Sequence, residues 1–311
     1  MVGESPEDDP DGAMRGTKGS HVKPALSEAA VTAFLADLLD EVPTPIERVV
    51  EGLESQVFRF EVSDRAFVVR INPSLRGFEK DLWADSMLSE RVPVPRVASL
   101  GAFDSDHAYC ISEWVSGTTL EDLPVADAEG VVEEVANVWR LIAATDVSSI
   151  DGVGDFDPDG QAPASSWREV LIQTLEAARR ELNGATDVID AYERLIDHCP
   201  EERALIHADF GSNNVLAERG RITAVLDWDQ AMVGDPLHDV ANFYFWATHL
   251  RCMEVQATYF ERTLSQLPAY RERISCYALR IGLEEARENV RDGDLAMAEW
   301  ALARSREVIA G

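Results

Sequence analysis

The feature that most constrains this chain is a stretch of polar residues set between short apolar runs, from position 205 to 229. His207, Asp209 and Asn214 lie in one loop between two strand-like runs, and Asp227 follows the next run. Because a tight loop joins neighbouring strands, Asp209 and Asn214 are predicted at one edge of a site, with Asp227 opposite. His207 is predicted to hydrogen-bond the loop and hold its shape. The fold must therefore bring one loop and one strand end to a shared cleft.

These residue types are the ones that phosphoryl transfer requires. The reaction needs a carboxylate to orient and deprotonate the attacking hydroxyl, and oxygen ligands to hold Mg²⁺ against the phosphates. Asp209 fits the first role, and Asn214 and Asp227 fit the second. The spacing H-x-D-x-x-x-x-N, followed by a metal-binding Asp, is typical of kinase catalytic loops. An ordinary turn beside a buried histidine is the alternative, and the position of Asp227 favours the kinase interpretation.

Periodicity upstream of this stretch predicts a small lobe of mixed structure. A helical pattern covers residues 27–38, and apolar residues then recur in short runs at 57–62, 67–71 and 107–111. These runs are typical of antiparallel strands, and the spacing from 78 to 88 is helical. We therefore expect a sheet with a helix inserted between its strands.

The remainder of the chain is mainly helical, with strand-like runs only between 204 and 227. We predict an α+β fold of the bilobal, protein-kinase-like type, with a small antiparallel-sheet N-lobe and a larger, mainly helical C-lobe. The predicted units are a disordered leader over residues 1–24, a nucleotide-binding N-lobe over 25–115 and a catalytic and acceptor-binding C-lobe over 116–311. The leader is assigned on its Gly, Pro and charged residues, which show no apolar period.

One phosphate contact is expected from the N-lobe sheet. Arg70 ends a predicted strand, at the position where kinases usually have a phosphate-contacting Lys. A guanidinium can also bind phosphate, through two parallel N–H groups. Its acidic partner is predicted to be Asp81 or Glu79 on the following helix, and a plain surface ion pair is the alternative.

Two further segments are expected to contact the nucleotide. The loop over residues 51–58, which includes Ser55, joins two strands and could cover phosphates with its backbone amides, although an ordinary hairpin turn explains it equally well. Glu113 and Val115 lie in the linker between the lobes, where a backbone carbonyl and amide can pair with the adenine edge. The linker prediction follows from position alone.

The charge balance excludes several classes of partner. The chain has 28 Lys+Arg against 57 Asp+Glu, a formal net charge of −29. Such a field repels nucleic acid and anionic membrane surfaces and attracts a cationic small molecule. An acidic surface of the kind that keeps proteins soluble in concentrated salt is the alternative. With four scattered cysteines, no CxxC pair and no apolar run of about 18 residues, a monomeric cytoplasmic protein is expected.

The motif region resembles the aminoglycoside phosphotransferase and choline kinase superfamily. Residues 207–216 (HADFGSNNVL) and 220–225 (GRITAV) carry the resemblance, which covers the chain from about residue 29 to the end and is looser in the N-lobe. It continues through Asp227-Trp228, Ala231-Met232, Gly234-Asp235, Val240-Ala241-Asn242, Phe245-Trp246, Arg280-Ile281-Gly282-Leu283 and, in the N-lobe, Lys80-Asp81. The resemblance implies the same kinase-like fold.

The resemblance also implies an activity. It implies phosphorylation of one hydroxyl of an aminoglycoside or aminocyclitol antibiotic, with hygromycin B the expected acceptor and ATP and Mg²⁺ required. Asp209 is then the catalytic base, Asn214 and Asp227 are the metal ligands, and Arg70 contacts the phosphates. The resemblance leaves open whether the phosphoryl donor is ATP or GTP. A kinase of another polyol, amino alcohol or macrolide, and a nucleotide-binding pseudokinase, stay open as alternatives.

The residues expected around the acceptor depart from the superfamily pattern. His249 stands where that pattern has a second Trp, and Asp229 stands where it has Ser. Trp246 is predicted to be a stacking wall for a sugar ring, against the alternative of a core residue. Glu284 and Glu285 lie on one helix and are expected to bind ammonium groups, unless they belong to a solvated face.

Overall fold

The computed structural model describes residues 23–39, 43, 46–49 and 55–311. Most of the predicted leader, and residues 51–54 of the loop expected to cover the phosphates, lie outside the described residues. Within those residues the chain forms a sheet-rich lobe followed by a mainly helical one. The predicted α+β, kinase-like architecture is therefore confirmed.

The N-lobe is a five-stranded antiparallel sheet with two helices. Its elements are α1 (Glu28–Leu39), β1 (Glu47–Arg48), β2 (Gln56–Val62), β3 (Arg65–Asn72), α2 (Arg76–Leu88), β4 (Val97–Ala102) and β5 (Ala108–Glu113). The strand order is β1-β2-β3-β5-β4. Alternate residues of β2, among them Phe58 and Phe60, point inward and pack against Val31 and Leu35 of α1. This period-two burial explains why β2 could be predicted from sequence.

The C-lobe contains eight of the described helices and two small sheets. Its elements are β6 (Thr118–Thr119), α3 (Val125–Gly130), α4 (Val132–Ala143), β7 (Gly154–Asp155), α5 (Trp167–Glu181), α6 (Thr186–Leu195), β8 (Ala204–Ile206), β9 (Val215–Glu218), β10 (Arg221–Val225), β11 (Met232–Gly234), α7 (Leu237–Trp246), α8 (Arg251–Leu264), α9 (Tyr270–Asp292) and α10 (Leu295–Ala310). One sheet has the order β10-β9-β6 and the other β7-β11-β8.

A large apolar core fixes these helices. The fully buried aromatic residues include Trp167, Phe243 and Phe260. Gly282 lets α9 pack closely against α10, because a Cβ there would lie 2.1 Å from Ser305 Oγ of α10. Helices α7, α9 and α10 are consequently tightly packed, so the side chains of α7 are held in fixed positions.

The two lobes meet at the segment that follows β5. The Trp114 amide donates to Ala66 O of the N-lobe at 3.0 Å. On the other side, the Thr223 hydroxyl donates to Ser116 O at 2.8 Å. The linker is therefore fastened to both lobes. No helix in the described part of the chain is long and apolar enough to cross a membrane.

Candidate active site

The catalytic loop, defined here as residues 207–214, connects β8 to β9 and is shaped by a buried histidine. The His207 Nε2–H donates to Leu226 O at 3.0 Å, and Nδ1 accepts from the Asp209 amide at 3.3 Å. Burial lowers the pKa of His207, despite the nearby Asp209 carboxylate, so the imidazole is neutral and its two nitrogens have the opposite roles these bonds require. Both ring nitrogens of His207 are thus bonded to the backbone that shapes the loop.

The orientation of Asp209 is fixed inside this loop. Asn214 Nδ2 donates to Asp209 Oδ2 at 2.7 Å and to Asp209 O at 3.0 Å. Asn214 is buried, whereas Asp209 is only half-buried. The arrangement presents a carboxylate in a fixed direction, which is what a base that orients a hydroxyl needs.

Asp227 begins a second polar segment, the Asp227 segment, defined as residues 227–231. Asp227 is exposed, but Trp228 is buried and its ring lies 4.6 Å from the His207 ring. Asp227 and Ala208 both have left-handed backbone conformations, with φ of 61° and 69°. Such angles are uncommon outside glycine, and they cluster where a structure holds the chain for function.

Helix α7 supports the catalytic loop from below. Asp239 accepts from the Ala208 amide at 2.7 Å and from the His207 amide at 3.1 Å. Burial raises the pKa of Asp239 to about 7, against the lowering effect of these two backbone bonds. Asn242 Nδ2 donates to Phe210 O at 3.3 Å. The position of the base therefore depends on contacts within the C-lobe.

On the nucleotide side, Arg70 pairs with Asp81 and not with Glu79. Arg70 Nη2 lies 2.5 Å from Asp81 Oδ2. Burial would lower the pKa of Arg70, but the Asp81 carboxylate, with Cys110 and Asp227 adding to it, raises that pKa above its ordinary value. Asp81 Oδ1 also accepts from the Trp228 amide at 3.1 Å. One carboxylate thus joins Arg70 to the Asp227 segment.

The other residues predicted on the nucleotide side occupy the sheet edge and the linker. Ser55 Oγ accepts from Asn72 Nδ2 at 3.2 Å. The Glu113 carboxylate is paired with Arg65, and its amide donates to Arg96 O at 2.9 Å, so any pairing with an adenine edge would use its carbonyl oxygen. Val115 lies half-buried in the linker.

The predicted stacking wall is part of a larger aromatic group. The Trp246 ring stacks on Trp300 of α10, with centroids 5.0 Å apart and an interplanar angle of 19°. His249 is exposed, and its ring lies 5.3 Å from that of Trp300. Sequence reasoning missed Trp300 because 54 positions separate it from Trp246 and no local pattern links them.

Two of the carboxylates expected at the acceptor are already paired. Asp229 Oδ1 lies 3.1 Å from Arg76 Nη1, and Glu284 Oε1 lies 2.9 Å from Arg280 Nη2. These bonds tie Asp229 to α2, and Glu284 also accepts from Thr174 of α5. The structure does not show either carboxylate bonded to the catalytic loop.

Glu285, the third carboxylate expected there, is half-buried on α9. Its carbonyl oxygen accepts from Asn289 Nδ2 at 2.8 Å. A residue that sequence reasoning missed bonds the catalytic loop directly: Glu121 Oε2 accepts from Ser212 Oγ at 2.8 Å. No motif in the sequence marks Glu121.

The oxygen donors fit a magnesium ion shared with a nucleotide. The described residues contain no cluster of three or more His, Cys, Asp or Glu side chains that could hold a metal alone. Mg²⁺ bound with phosphates needs only one or two protein oxygens, because phosphates and water complete its octahedron. The Asn214 nitrogen donates to Asp209, so its carboxamide oxygen and the Asp227 carboxylate are the hard oxygen donors that these two residues would contribute.

A kinase-like bilobal fold with these polar groups on one loop and a neighbouring segment is the arrangement expected of a phosphotransferase that acts on hydroxyl groups. Comparison with known proteins agrees. The chain belongs to the phosphotransferase enzyme family, whose model, named APH, matches residues 45–274. The enzyme class predicted from the sequence is thereby confirmed.

The chain is similar to several characterised members. It is 38% identical over 297 residues to hygromycin-B 4-O-kinase of Escherichia coli, covering 92% of this chain and 86% of that protein. It is 29% identical over 230 residues to viomycin phosphotransferase of Streptomyces vinaceus, covering 67% and 72%. The fold superposes on a thermostable mutant of the aminoglycoside phosphotransferase APH(4)-Ia in ternary complex with AMP-PNP and hygromycin B, with a TM-score of 0.85, 37% identity and coverage of 90% and 98%.

Proposed function

We propose that this enzyme uses ATP and Mg²⁺ to phosphorylate one hydroxyl of hygromycin B, and so inactivates the antibiotic. The observation that carries the proposal is the Asp209 carboxylate held by Asn214 at 2.7 Å, beside the Asp227 segment. The similarity to the E. coli hygromycin-B 4-O-kinase supports the acceptor. The complex of APH(4)-Ia with AMP-PNP supports ATP as the donor. The enzyme is proposed to act as a monomer in the cytoplasm.

In this mechanism both lobes contribute contacts to the nucleotide. The nucleotide lies between the N-lobe (residues 25–115) and the C-lobe (residues 116–311), with Ser55 near its phosphates and the backbone of Glu113 and Val115 at its base. Arg70 neutralises charge on the phosphates through its guanidinium.

Asp209 performs the chemistry that the chain itself supplies. Its carboxylate accepts a hydrogen bond from the acceptor hydroxyl, aligns that oxygen for in-line attack and takes its proton. As the new bond to the γ-phosphorus forms, the bond from that phosphorus to the bridging oxygen breaks and ADP leaves with the oxygen. Asn214 and Asp227 would hold Mg²⁺, which supplies charge neutralisation on the transferring phosphoryl group when bound. His207 keeps the loop in the required shape through its two backbone bonds.

A cationic acceptor fits the surroundings of the catalytic loop. Glu121 places a carboxylate next to Ser212, where it can pair with an ammonium group. The aromatic group of Trp246, Trp300 and His249 offers an exposed ring edge beside α7, and aromatic faces stack on sugar rings. Glu285 is proposed as a further acidic contact from α9.

A related aminocyclitol is the second candidate acceptor. The observation that favours it is His249, an exposed imidazole at a position where the superfamily pattern has a Trp. An imidazole is smaller and more polar than an indole, so a different ring can be preferred there. Viomycin is a further test compound, because the chain is also similar to viomycin phosphotransferase.

The test is incubation of the purified protein with Mg-ATP and hygromycin B, read by mass spectrometry for one added phosphoryl group. Parallel reactions use GTP as donor and a panel of aminoglycosides, viomycin and small polyols as acceptors. Asp209→Asn is the matched control, because it removes the base and keeps the size of the side chain. Phosphorylation of a panel member with hygromycin B untouched would overturn the proposed acceptor, and no transfer to any acceptor would overturn the proposed activity.

A further inference from the structure

Lys80 of α2 is the most unusual charged residue outside the catalytic loop. Its side chain is fully buried, and its ammonium donates three hydrogen bonds of 2.7 Å each. The acceptors are Asp155 Oδ1, Asp229 O and Ala231 O. An ammonium has three donors, so every N–H of Lys80 is directed at the C-lobe.

Burying this ammonium is energetically unfavourable. Burial lowers the pKa of Lys80, although Asp155 acts in the opposite direction. An apolar side chain of similar volume is often as stabilising as a buried ion pair, because it avoids the desolvation penalty. The charge at this position therefore indicates a requirement for geometry beyond what packing supplies.

The atoms that Lys80 holds belong to the Asp227 segment. Two of its three acceptors are the carbonyl groups of Asp229 and Ala231. The next residue of the helix, Asp81, accepts from the Trp228 amide. Consecutive residues of α2 thus bind the backbone at 228, 229 and 231, immediately after the carboxylate of Asp227.

A third residue of the same helix reinforces this contact. Arg76 lies one turn before Lys80, and its Nη2 donates to both carboxylate oxygens of Asp155 at 2.7 Å. Its Nη1 bonds Asp229 Oδ1 at 3.1 Å. Arg76 and Lys80 therefore both form hydrogen bonds to Asp155 and to Asp229 of the C-lobe from one face of α2.

We propose that Lys80 is a positioning residue for phosphoryl transfer: it fastens the Asp227 segment to α2 and so fixes the distance between Arg70 and Asp227 across the cleft. Arg70 and Asp227 come from different lobes and must address the same phosphates. Asp81 already bonds Arg70, so α2 holds both sides of the phosphate site. The inference rests on the phosphotransferase activity and not on the identity of the acceptor.

Gly77 gives an independent way to disturb the same contact. A Cβ at position 77 would lie 3.2 Å from Asp229 Cβ and Cγ, which is closer than a relaxed contact. In an exposed helix Ala is favoured over Gly, so Gly77→Ala should stabilise α2 unless this contact constrains it. The added methyl group should therefore displace the Asp227 segment at Asp229 without removing any charge.

The test compares Lys80→Met and Gly77→Ala with the parent protein. Met keeps the length of the side chain and removes its three donors. We expect Lys80→Met to lower kcat about 10- to 100-fold and to weaken Mg-ATP binding about tenfold, with the acceptor KM changed less than twofold. Hydrogen exchange at the amides of 228–231 should accelerate at least about tenfold. Gly77→Ala should show the same pattern with smaller changes.

Val308→Ala is the stability control, since Val308 lies in the buried core of α10 away from the cleft. All variants are assayed well below their melting temperatures, and kcat is divided by the folded fraction. If Lys80→Met and Gly77→Ala match Val308→Ala in kcat, in nucleotide affinity and in exchange at 228–231, the proposal is wrong and Lys80 only stabilises the fold. Should Lys80→Met not fold, Gly77→Ala alone decides.

Two of the measurements are independent of the acceptor. Hydrogen exchange and Mg-ATP affinity are measured without any antibiotic. If the parent protein does not phosphorylate hygromycin B, the proposed acceptor fails while these two results still support or overturn the role of Lys80.

Discussion

The two polar segments of the active site are held from opposite sides. The catalytic loop is fastened within the C-lobe, through Asp239 and Asn242 of α7. The Asp227 segment is fastened by the N-lobe, through Lys80 and Asp81 of α2. The catalytic loop is therefore supported from the C-lobe. The Asp227 segment has contacts to both lobes, because it follows Leu226, whose carbonyl accepts from His207, and is also bonded by α2 of the N-lobe. Variants that affect the two segments should accordingly separate chemistry from nucleotide binding.

The largest effect is expected from Asp209→Asn. This variant keeps the hydrogen bond to Asn214 but removes the base, and general-base catalysis contributes about 10²- to 10⁴-fold. We expect kcat to fall about 1,000-fold with Mg-ATP affinity within twofold of the parent, as measured by coupled ADP release and by calorimetry. Activity equal to the parent would rule out Asp209 as the base.

A smaller loss is expected from Asp239→Asn, which weakens the support of the catalytic loop. One of the two buried amides that Asp239 accepts from would lose its partner, and an unsatisfied buried amide costs about 1–3 kcal/mol. We expect kcat to fall about tenfold and the melting temperature to drop by several degrees. Nucleotide affinity should not change. If binding of Mg-ATP weakened as much as kcat, the two segments would not be independently supported.

The opposite pattern is expected from Asp81→Asn. This change removes the charge that pairs with Arg70, and a charge-assisted hydrogen bond contributes about 1.5–3 kcal/mol. We expect Mg-ATP affinity to weaken about tenfold while the acceptor KM stays within twofold, both from initial-rate kinetics. Glu79→Gln is the matched control on the same helix, and equal effects of the two variants would remove Asp81 from its special role.

The free energy of unfolding is expected to depend on pH through His238 of the C-lobe. Burial, with Arg280 adding to it, lowers the pKa of His238 well below its ordinary value of 6.5. The unfolded chain therefore binds a proton below pH 6.5 that the folded chain does not, and the free energy of unfolding falls as the pH decreases through that range. The contribution is at most about 1.4 kcal/mol per pH unit.

Denaturant unfolding at pH 7.5 and 5.5 measures this slope. His238→Gln keeps an acceptor for Arg280 and has no titratable group, so its slope should be flatter than that of the parent. The difference between the two proteins carries the expectation, because Asp239, with a pKa raised to about 7, acts in the opposite sense in both. Identical slopes would mean that His238 does not contribute.

The smallest effect is expected from salt. The net charge of −29 implies self-repulsion among carboxylates, and salt screens it. We propose that the acidic surface is suited to concentrated salt, and we expect the melting temperature to rise by a few degrees between about 0.1 and 1 M NaCl. The buried supports of both segments should be insensitive to this screening. A stability maximum in dilute buffer would contradict the proposal.

The sequence was sufficient to predict the architecture and the local groups of the site. The spacing of His207, Asp209 and Asn214 identified the loop because its geometry is set by a few consecutive residues. The partner of Arg70 was narrowed to two residues of one helix, and the structure selects Asp81 because it faces the sheet and the Trp228 amide together. Patterns that repeat over a few residues were therefore informative.

Contacts between distant segments were not predictable in the same way. Lys80 contacts carbonyl groups about 150 positions away, and its neighbours in sequence give no sign of that. The pairing of Asp229 with Arg76, 153 positions away, was likewise not visible in the sequence. Which partner a surface-type side chain meets is decided by packing of the helices, and a single sequence does not specify it.

The left-handed backbone at Ala208 and Asp227 bears on any attempt to reshape this enzyme by random mutagenesis. Glycine, asparagine and aspartate adopt that conformation readily, whereas other side chains meet a steric penalty of about 1–2 kcal/mol and branched ones more. In a library at position 227, many substitutions will therefore be lost because they disfavour the left-handed backbone, whatever their effect on the chemistry. Asp227→Asn is the replacement there that alters charge alone, and screens that rely on alanine will confuse the two causes.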